Sequence, residues 1–393
     1  MNLKKDIKQP LRGLFLSHMF PNSIEPLFAP FVAERAKAIK QYIDDIDIVA
    51  PTSYFPILKK SPPPYNELFN KLSVTHPRYL GVPSFLDHYR WIPYCYMLHK
   101  LWLGKPLRYN IAHIEWIYPD AYAFIKYAKS RKKNIKTVGI VHGNEAIGNI
   151  EEITDRRLYI NTLKMLDKII SVSEDLKQKM VNSFGILEEK INVITNGVDL
   201  SKFPLMDKLE ARQMLNLAYD EKIGVCVARL SHEKNLGILI EAMSQLNDMK
   251  LKIYILGDGP LKNHLNSLIE KYNVRGRVIL AGAIPHDKIF KWLNAADFFC
   301  LPSLREGCPV VIHEALACGL PVLSTNVGAI PDLIKDEKYG LLCDPDDIEG
   351  FTNVINRALI MNWGRENISN YGRQFTWDEV AKKTVDIYRE LLN

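Results

Sequence analysis

FFCLPSLREGCPVVIHEALACGLPVLSTNVGAIPDL, residues 298–333, decides the reading of this chain. An apolar run reads as a strand, a loop containing a glycine follows, and a helix-spaced segment leads through a Gly-Leu-Pro turn into a second apolar run. Pro309 suits the first helical turn, and Gly319 suits the residue just past the helix end. The free N–H groups at such a helix start, and its positive dipole end, favour a phosphate. Two carboxylates share the region, Glu306 in the loop and Glu314 on the helix. Carboxylates beside an anion site fit a ligand that is also a polyol. A nucleotide diphosphate sugar meets both demands, with phosphates for the helix and ribose and hexose hydroxyls for the glutamates.

The alternation continues on both sides. After residue 220 the runs IGVCVARL (223–230), LKIYIL (251–256), RVILAG (277–282), PVLST (321–325) and YGLLCD (339–344) read as strands separated by helical segments. One of these helices follows Lys234, with Leu236, Leu239, Ile240, Met243 and Leu246 forming a buried stripe. In the first half RGLFLSHMF (12–20), IDIVAP (46–51), NIAHIEW (110–116), KTVGIVH (136–142), KIISVS (168–173) and INVITNG (191–197) repeat the theme. Apolar strands alternating with amphipathic helices predict parallel sheets covered on both faces. Between about 52 and 108 the pattern breaks. SPPPYNELFNKL is Pro-rich and reads as a loop, and the aromatic-crowded YRWIPYCYMLHKLWL (89–103) reads as core more than as a lipid- or acceptor-touching helix.

At 393 residues the chain exceeds one ordinary core and fits two domains. The expected fold class is α/β, with two doubly wound Rossmann-like domains facing each other across a cleft and a join near 198–205. Hydrophobic content of 47% and charged content of 24% are those of a soluble globular protein. No apolar run approaches a membrane span, and MNLKKDIKQPLRGLFLSHMF lacks the apolar stretch and cleavage site of a signal peptide. The expected location is therefore cytoplasmic. Cys95, Cys226, Cys300, Cys308, Cys318 and Cys343 include no CxxC pair, so they read as packed thiols in a reducing compartment, and the histidines show no metal-ligand spacing.

The net charge of +6 is uneven. Residues 1–200 hold 28 Lys+Arg against 20 Asp+Glu, a surplus of eight, whereas the remainder is net acidic by two. A basic first half points to an anionic partner, such as a lipid-phosphate acceptor or an anionic membrane met peripherally on its inner face. No recognition motif accompanies the charge, so nucleic acid is not expected.

The candidate ligand residues fall after strands, at the edge where doubly wound sheets bind ligands. His142 ends one strand, Arg229 ends another, and Gly257 and Glu306 follow two more. Arg229 and Lys234 flank a strand-to-helix turn and can neutralise a diphosphate, Arg bidentately and Lys as a point charge. Glu233 is the alternative partner that would reduce Lys234 to a surface pair. GDGPL (257–261) is a glycine turn before a helix but not GxGxxG, which argues against a nicotinamide cofactor. Gly143 beside His142 permits close backbone approach.

The Glu306/Glu314 spacing, its PS…EG…P…EA…A.GLPV frame and the VGAIPDL that follows closely resemble glycosyltransferase family 4, the retaining enzymes of the GT-B fold. VARLSHEKNL (227–236) is similar to the family's diphosphate-binding stretch, VHGNE (141–145) to its histidine loop and ITNGVDLSKF (194–203) to its interdomain turn. The likeness spans nearly the whole chain. It implies an acceptor-binding domain of residues 1–203 with a closing helix 376–393 packed back on it, and a nucleotide-sugar-binding domain of residues 204–375. It implies donor contacts at Arg229, Lys234, Gly257, Ala283, Gly307, Cys308, Pro309 and Val310, the last four through backbone groups. Glu314 would meet the ribose, Glu306 the donor sugar and His142 the sugar's reactive face, while the base would be held by backbone around Ala283 to Pro285. Glu145 would lie near the acceptor. No cofactor or metal is implied beyond the donor, a UDP- or GDP-sugar, and the acceptor would be a hydroxyl of a polysaccharide or a lipid-linked glycan. The family implies front-face attack in which the leaving phosphate takes the acceptor's proton. One departure stands out. Many members carry a Gly-Gly pair after the first strand, whereas this chain has MFPNSIEPLFAPFV (19–32), leaving Asn22 and Ser23 as the candidates there. Two other readings fit the same fold. One is a nucleotide-sugar epimerase or a phosphorylase, the latter lacking an identifiable pyridoxal-binding lysine. The other is a non-catalytic sugar-binding scaffold.

Overall fold

The computed structural model describes residues 10–55, 61–143 and 156–393. The chain divides into two compact units, one of Met1–Thr195 with Trp377–Asn393, the other of Asn196–Thr376. The division falls at Thr195/Asn196, inside the ITNGVDLSKF stretch.

Among the described residues the second unit holds a six-stranded sheet. Its strands are β11 (Lys222–Val227), β12 (Leu251–Leu256), β13 (Val278–Gly282), β14 (Phe298–Leu301), β15 (Val322–Thr325) and β16 (Gly340–Cys343). They lie in the order β13-β12-β11-β14-β15-β16, all parallel. Counted from β11, that is the 3-2-1-4-5-6 order of a doubly wound sheet, with its switch point between β11 and β14. Side chains alternate between two cores. Ile253, Ile255, Phe298 and Cys300 pack with Leu239, Met243 and Phe351 on one face. Leu256, Phe299 and Leu301 pack with Leu293, Ile312 and Leu316 on the other. Each fully buried Leu or Phe contributes about 1.5–3 kcal/mol.

The first unit holds an eight-stranded sheet in the order β10-β9-β8-β7-β1-β2-β5-β4. β1 is Arg12–Leu16, β2 Asp45–Val49, β4 Asn66–Phe69, β5 Leu72–Thr75, β7 Ile111–Ile114, β8 Lys136–Val141, β9 Lys168–Ser171 and β10 Ile191–Val193. A further pair, β3 (Thr52–Tyr54) and β6 (Arg78–Leu80), lies outside it. The chain reverses direction across the sheet at β1, which is flanked by β7 and β2.

The loop reading of SPPPYNELFNKL is corrected here. NELF is β4 and pairs antiparallel with β5, which extends the main sheet beside β2. Asn70 and Lys71 form the two-residue turn with φ of 49° and 68°, the conformation that suits strand twist. A lysine in the second turn position, where glycine is usual, hid the hairpin. The aromatic stretch forms the helix Trp91–Leu101, of which Tyr94, Met97 and Leu98 are buried while Ile92 and Tyr96 stay exposed. It is core along one stripe only.

The closing helix, Trp377–Leu392, belongs to the first unit and packs along the helix Pro30–Ile39. Trp377 lies under the Arg35 guanidinium at 5.8 Å, and Tyr42 donates a hydrogen bond to Asp378.

Candidate functional site

The second unit gathers its candidate residues at the switch point. The loop after β11 carries Arg229 and Lys234, and the loop after β14 carries Glu306. Lys234 Nζ lies 2.6 Å from Glu306 Oε1, and the Ser303 hydroxyl donates to the same oxygen at 2.6 Å. Glu306 is 8% exposed, so this carboxylate is held from two sides. The partner of Lys234 is therefore Glu306. Glu233 instead accepts a hydrogen bond from Ser231. Arg229 is exposed and forms no ion pair among the described residues.

The helix Val310–Ala317 starts at this loop. Pro309 sits at its N-cap with φ −71° and ψ 111°, one position before the expected first turn, and no side chain caps the start. Proline has no N–H, so it cannot supply the expected backbone donor. The donors at this end belong to Gly307, Cys308, Val310 and Val311. The C-terminal end closes as expected, with Gly319 at φ 71°, its N–H on Leu316 O and the Leu320 N–H on Ala315 O.

Cys308 does more than fill space. Its carbonyl accepts from Asn196 Nδ2 at 2.8 Å, its sulfur accepts from the Asn196 N–H at 3.3 Å, and the sulfur lies 3.4 Å from His313 Nε2. Asn196 thus pins the loop that precedes the helix. Burial pushes the His313 pKa down to about 3.

Glu314 is 4% exposed and faces the loop after β13. Its Oε1 lies 2.7 Å from His286 Nε2, the first residue of the helix His286–Ala295. Ala283, Ile284 and Pro285 lead directly into His286. The carboxylate expected at the ribose and the backbone expected at the base are therefore tied together by one imidazole.

Two glycines support these loops by their lack of a side chain. A Cβ on Gly257 would stand 1.9 Å from the Ala228 carbonyl oxygen, in the loop of Arg229. One on Gly328, from the VGAIPDL stretch, would stand 2.1 Å from the Glu306 carbonyl oxygen. Gly328 has φ 58°, and the neighbouring Ala329 N–H bonds Gly307 O at 2.9 Å.

In the first unit, His142 follows β8 and is 8% exposed. Its Nε2 lies 2.7 Å from Glu115 Oε2, and His113 Nε2 lies 2.9 Å from Glu115 Oε1. The Tyr388 hydroxyl, from the closing helix, bonds His113 Nδ1 at 2.5 Å. Arg35, from the helix Pro30–Ile39, stands 3.7 Å from Glu115. Burial alone would raise the Glu115 pKa. The Arg35 charge and the hydrogen bonds from both histidines outweigh it and hold the carboxyl far below its usual range. Burial also lowers the pKa of His113 and His142, against the opposing pull of Glu115. Both imidazoles are then neutral and donate Nε2–H to the carboxylate. The lone pair of His142 lies on Nδ1, able to accept a hydrogen bond from a hydroxyl.

Asn22 is buried, but its Oδ1 accepts the N–H groups of Ile24 and Glu25 at 2.9 Å, so it shapes its own loop and leaves only Nδ2 for a ligand. Ser23 is exposed. Glu145 lies outside the described residues. Among the described residues no group of three or more His, Cys, Asp or Glu could hold a metal ion, and no helix is long and apolar enough to cross a membrane.

Sequence reading missed His286, Ser303, Asn196 and Gly328, and the Arg35–His113–Glu115 group. His113 and Glu115 left a trace, since two titratable residues at a strand's period of two inside an apolar run are unusual. Ser303 and Gly328 left none beyond their place in the quoted stretch.

Two family models together account for most of the chain. Glycosyltransferase Family 4 matches residues 32–202, and Glycosyl transferases group 1 matches residues 207–375. An uncharacterized glycosyltransferase of Methanocaldococcus jannaschii is 31% identical over 242 residues, 59% of this chain and 62% of its own length. The chain therefore spans about three fifths of that relative. TuaC of Bacillus subtilis, named for teichuronic acid biosynthesis, is 26% identical over 88% of this chain and 89% of its own. Among solved structures, sucrose-phosphate synthase of Thermosynechococcus elongatus superposes with a TM-score of 0.77 at 20% identity, covering 97% of this chain and 99% of the other. HepE of Anabaena, solved with UDP, gives 0.73 at 18% identity over 97% and 100%. The fold is GT-B, and the chain belongs to the group 1, family 4 glycosyltransferases.

Proposed function

We propose that the chain moves a sugar, with retention of its anomeric configuration, from a nucleotide diphosphate donor to a hydroxyl acceptor in polysaccharide or glycolipid synthesis. The observation that carries this reading is the Lys234–Glu306 pair at the switch point of the second sheet, beside the uncapped start of the helix that carries Glu314 further along. In this reading Arg229, Lys234 and the N–H groups of Gly307, Cys308 and Val310 hold the diphosphate. Glu314 takes the ribose hydroxyls, Glu306 the transferred sugar, and backbone around Ala283 to Pro285 the base, with Gly257 near the nucleotide. His142, and Asn22 and Glu145 on the acceptor side, serve from the first unit. Stabilising the charge that develops on the leaving diphosphate is the largest demand of the reaction, and fixed cations and dipoles meet it. Cations at Arg229 and Lys234 fill the role a divalent metal plays in other transferases. The HepE complex with UDP and the teichuronic acid biosynthesis for which TuaC is named support a nucleotide donor and a glycan acceptor. The base is uracil or guanine. The basic first half favours a lipid-phosphate acceptor, with peripheral contact at an anionic surface as its corollary.

The test is incubation with a panel of UDP- and GDP-sugars and glycolipid or oligosaccharide acceptors in excess EDTA, with the new linkage read by proton NMR. A product of the donor's anomeric configuration is expected. Inverted product, or activity abolished by EDTA and restored by manganese, contradicts the mechanism. Donor consumption to free sugar, unaffected by any acceptor, would favour the epimerase, and binding without turnover the scaffold.

A further inference from the structure

The outward side of the aromatic helix in the first unit has no role in the site described above. The short helical segment Ser84–Tyr89 runs through Arg90 into the helix Trp91–Leu101. Tyr94, Met97 and Leu98 face inward, which leaves Ile92, Tyr96 and Lys100, spaced four apart, as an outward stripe. Tyr89 precedes the stripe, Leu103 follows it, and both are exposed. Phe85 and Leu103 are each 74% exposed and Tyr96 61%. Large apolar side chains gathered on a surface mark a contact.

The helix Tyr122–Ser130 lies beside this one. The Trp91 and Tyr122 rings are 5.1 Å apart, His99 Nε2 lies 3.3 Å from Ser130 Oγ, and Lys126 stands close enough to Cys95 for its charge to act there. The helices therefore run side by side in one direction, and the outward Lys126, Lys129 and Ser130 continue the face of the first. Lys100 Nζ lies 4.8 Å from the Tyr96 ring centre, and Lys126 Nζ 5.3 Å from that of Tyr122. Arg131, Lys132 and Lys133 follow, all exposed. Residues 88–114 and 121–144 hold ten Lys+Arg and no Asp or Glu. Arg90 pairs with Asp87, Arg108 with Asp45 and Asp47, and Lys136 with Asp167. The other seven are exposed and form no ion pair among the described residues. The start of the face is fastened to the ligand edge of the first sheet, because the Tyr118 hydroxyl, from the turn after β7, donates to Asp87 O at 2.6 Å.

We propose that this face docks on an anionic lipid bilayer; it is the surface for the peripheral contact put forward above, and the inference rests on that reading. An apolar phase bounded by phosphates satisfies both halves of the face, the exposed Phe85, Ile92 and Leu103 as well as the unpaired cations. Tyr89 and Tyr96 suit the headgroup level, where one end of the ring is apolar and the other wet. A soluble polyanion would satisfy the cations alone and leave Phe85 and Leu103 in water. A second copy of this chain would set like charges against each other. Docking of this kind needs no spanning segment, and among the described residues no helix could cross a membrane. A lipid-linked acceptor in that bilayer is presented to the turn after β7.

The experiment is cosedimentation of the full chain with vesicles of phosphatidylcholine alone and of phosphatidylcholine with phosphatidylglycerol in equal parts. Wild type should bind the mixed vesicles, release them as salt rises, and leave phosphatidylcholine alone. A Lys or Arg near an anionic surface is worth about fivefold, so the combined Lys126→Ala, Lys129→Ala and Lys132→Ala variant should bind about a hundredfold more weakly. The combined Phe85→Ser and Leu103→Ser variant should lose tenfold or more. Equal binding of the lysine variant and wild type, or salt-independent binding, overturns the inference. Binding to soluble polygalacturonate as tight as to vesicles, unchanged in the Phe85/Leu103 variant, also overturns it and makes the face a glycan site. Calorimetry with UDP and GDP on the same samples separates the two readings. If a nucleoside diphosphate binds and mixed vesicles do not, the docking face fails and the transferase reading stands. If mixed vesicles bind and neither UDP nor GDP does, the face stands and the transferase reading fails.

Discussion

Lys234 and Glu306 stand 72 residues apart in sequence and 2.6 Å apart in space, on the two loops that flank the switch point of the second sheet. One strand supplies the cation and the next the carboxylate, and Ser303 holds the carboxylate from behind. The pair is prearranged, so a donor has little ordering left to do there. Replacing Glu306 with Gln should keep the Ser303 hydrogen bond but release Lys234. Sugar placement then suffers and kcat falls, while bare UDP or GDP binds nearly as before. Calorimetry beside steady-state kinetics checks this. Equal loss of nucleotide affinity in Glu306→Gln and Glu314→Gln would contradict the division of roles.

Glu314 should fail in the opposite way. Its Oε1 is engaged by His286, leaving the other oxygen for ribose hydroxyls. Glu314→Gln should raise the donor KM about tenfold or more, as expected for a lost hydrogen bond to a charged group, with kcat little changed. A 2′-deoxyribose donor should bind wild type more weakly and lose less on the substitution. His286→Ala should raise the same KM by a smaller factor. A variant that discriminates ribose from deoxyribose as well as wild type does would count against the ribose assignment.

Gly328→Ala tests the support of the Glu306 loop. The new Cβ would meet the Glu306 carbonyl oxygen at 2.1 Å, and φ of 58° adds backbone strain of about 1 kcal/mol or more. The loop must shift. Activity should drop at least tenfold while the melting temperature falls only a few degrees, and wild-type kinetics in this variant would show that the contact is slack.

Much of this was legible in the sequence, and the reason is periodicity. The second unit's strands are short apolar runs between amphipathic helices, and each such run became a strand. Gly319 ended its helix as its residue type required. The hairpin β4–β5 was hidden because Asn70-Lys71 adopts a turn that Asn-Gly would have announced. At the site, residue types pointed to Glu306 and Glu314, but pairing did not follow from spacing. Lys234 lies beside Glu233 in sequence and bonds Glu306 across the sheet. The same holds for Glu115, whose partners Arg35 and His142 come from two other segments, and for His113, which meets Tyr388 of the closing helix. Contacts made by the order of strands are invisible until that order is known.

The buried titratable groups predict acid sensitivity. Glu115 has a folded pKa below its unfolded value, so its stabilisation is present above the unfolded carboxylate pKa and is lost as pH falls toward the folded one. His113, His142 and His313 also have lowered pKa values. Below about pH 6.5 the unfolded chain takes up protons that the folded chain refuses, so stability falls there too. His313 acts over the window from about 6.5 down to about 3. Each such group contributes a slope of up to about 1.4 kcal/mol per pH unit. Melting of His313→Gln should therefore show a shallower decline between pH 7 and 5 than wild type. Parallel curves would mean that His313 is not held neutral.

The most direct test of the donor site is calorimetric titration of wild type and Lys234→Ala with UDP, GDP, uridine and guanosine. One nucleoside diphosphate should bind wild type far more tightly than its nucleoside. Lys234→Ala should weaken that diphosphate tenfold or more, since a charged hydrogen bond to phosphate is worth about 1.5–3 kcal/mol, and leave the nucleoside unchanged. Equal weakening of nucleoside and diphosphate, or no binding of either diphosphate to wild type, would contradict the account.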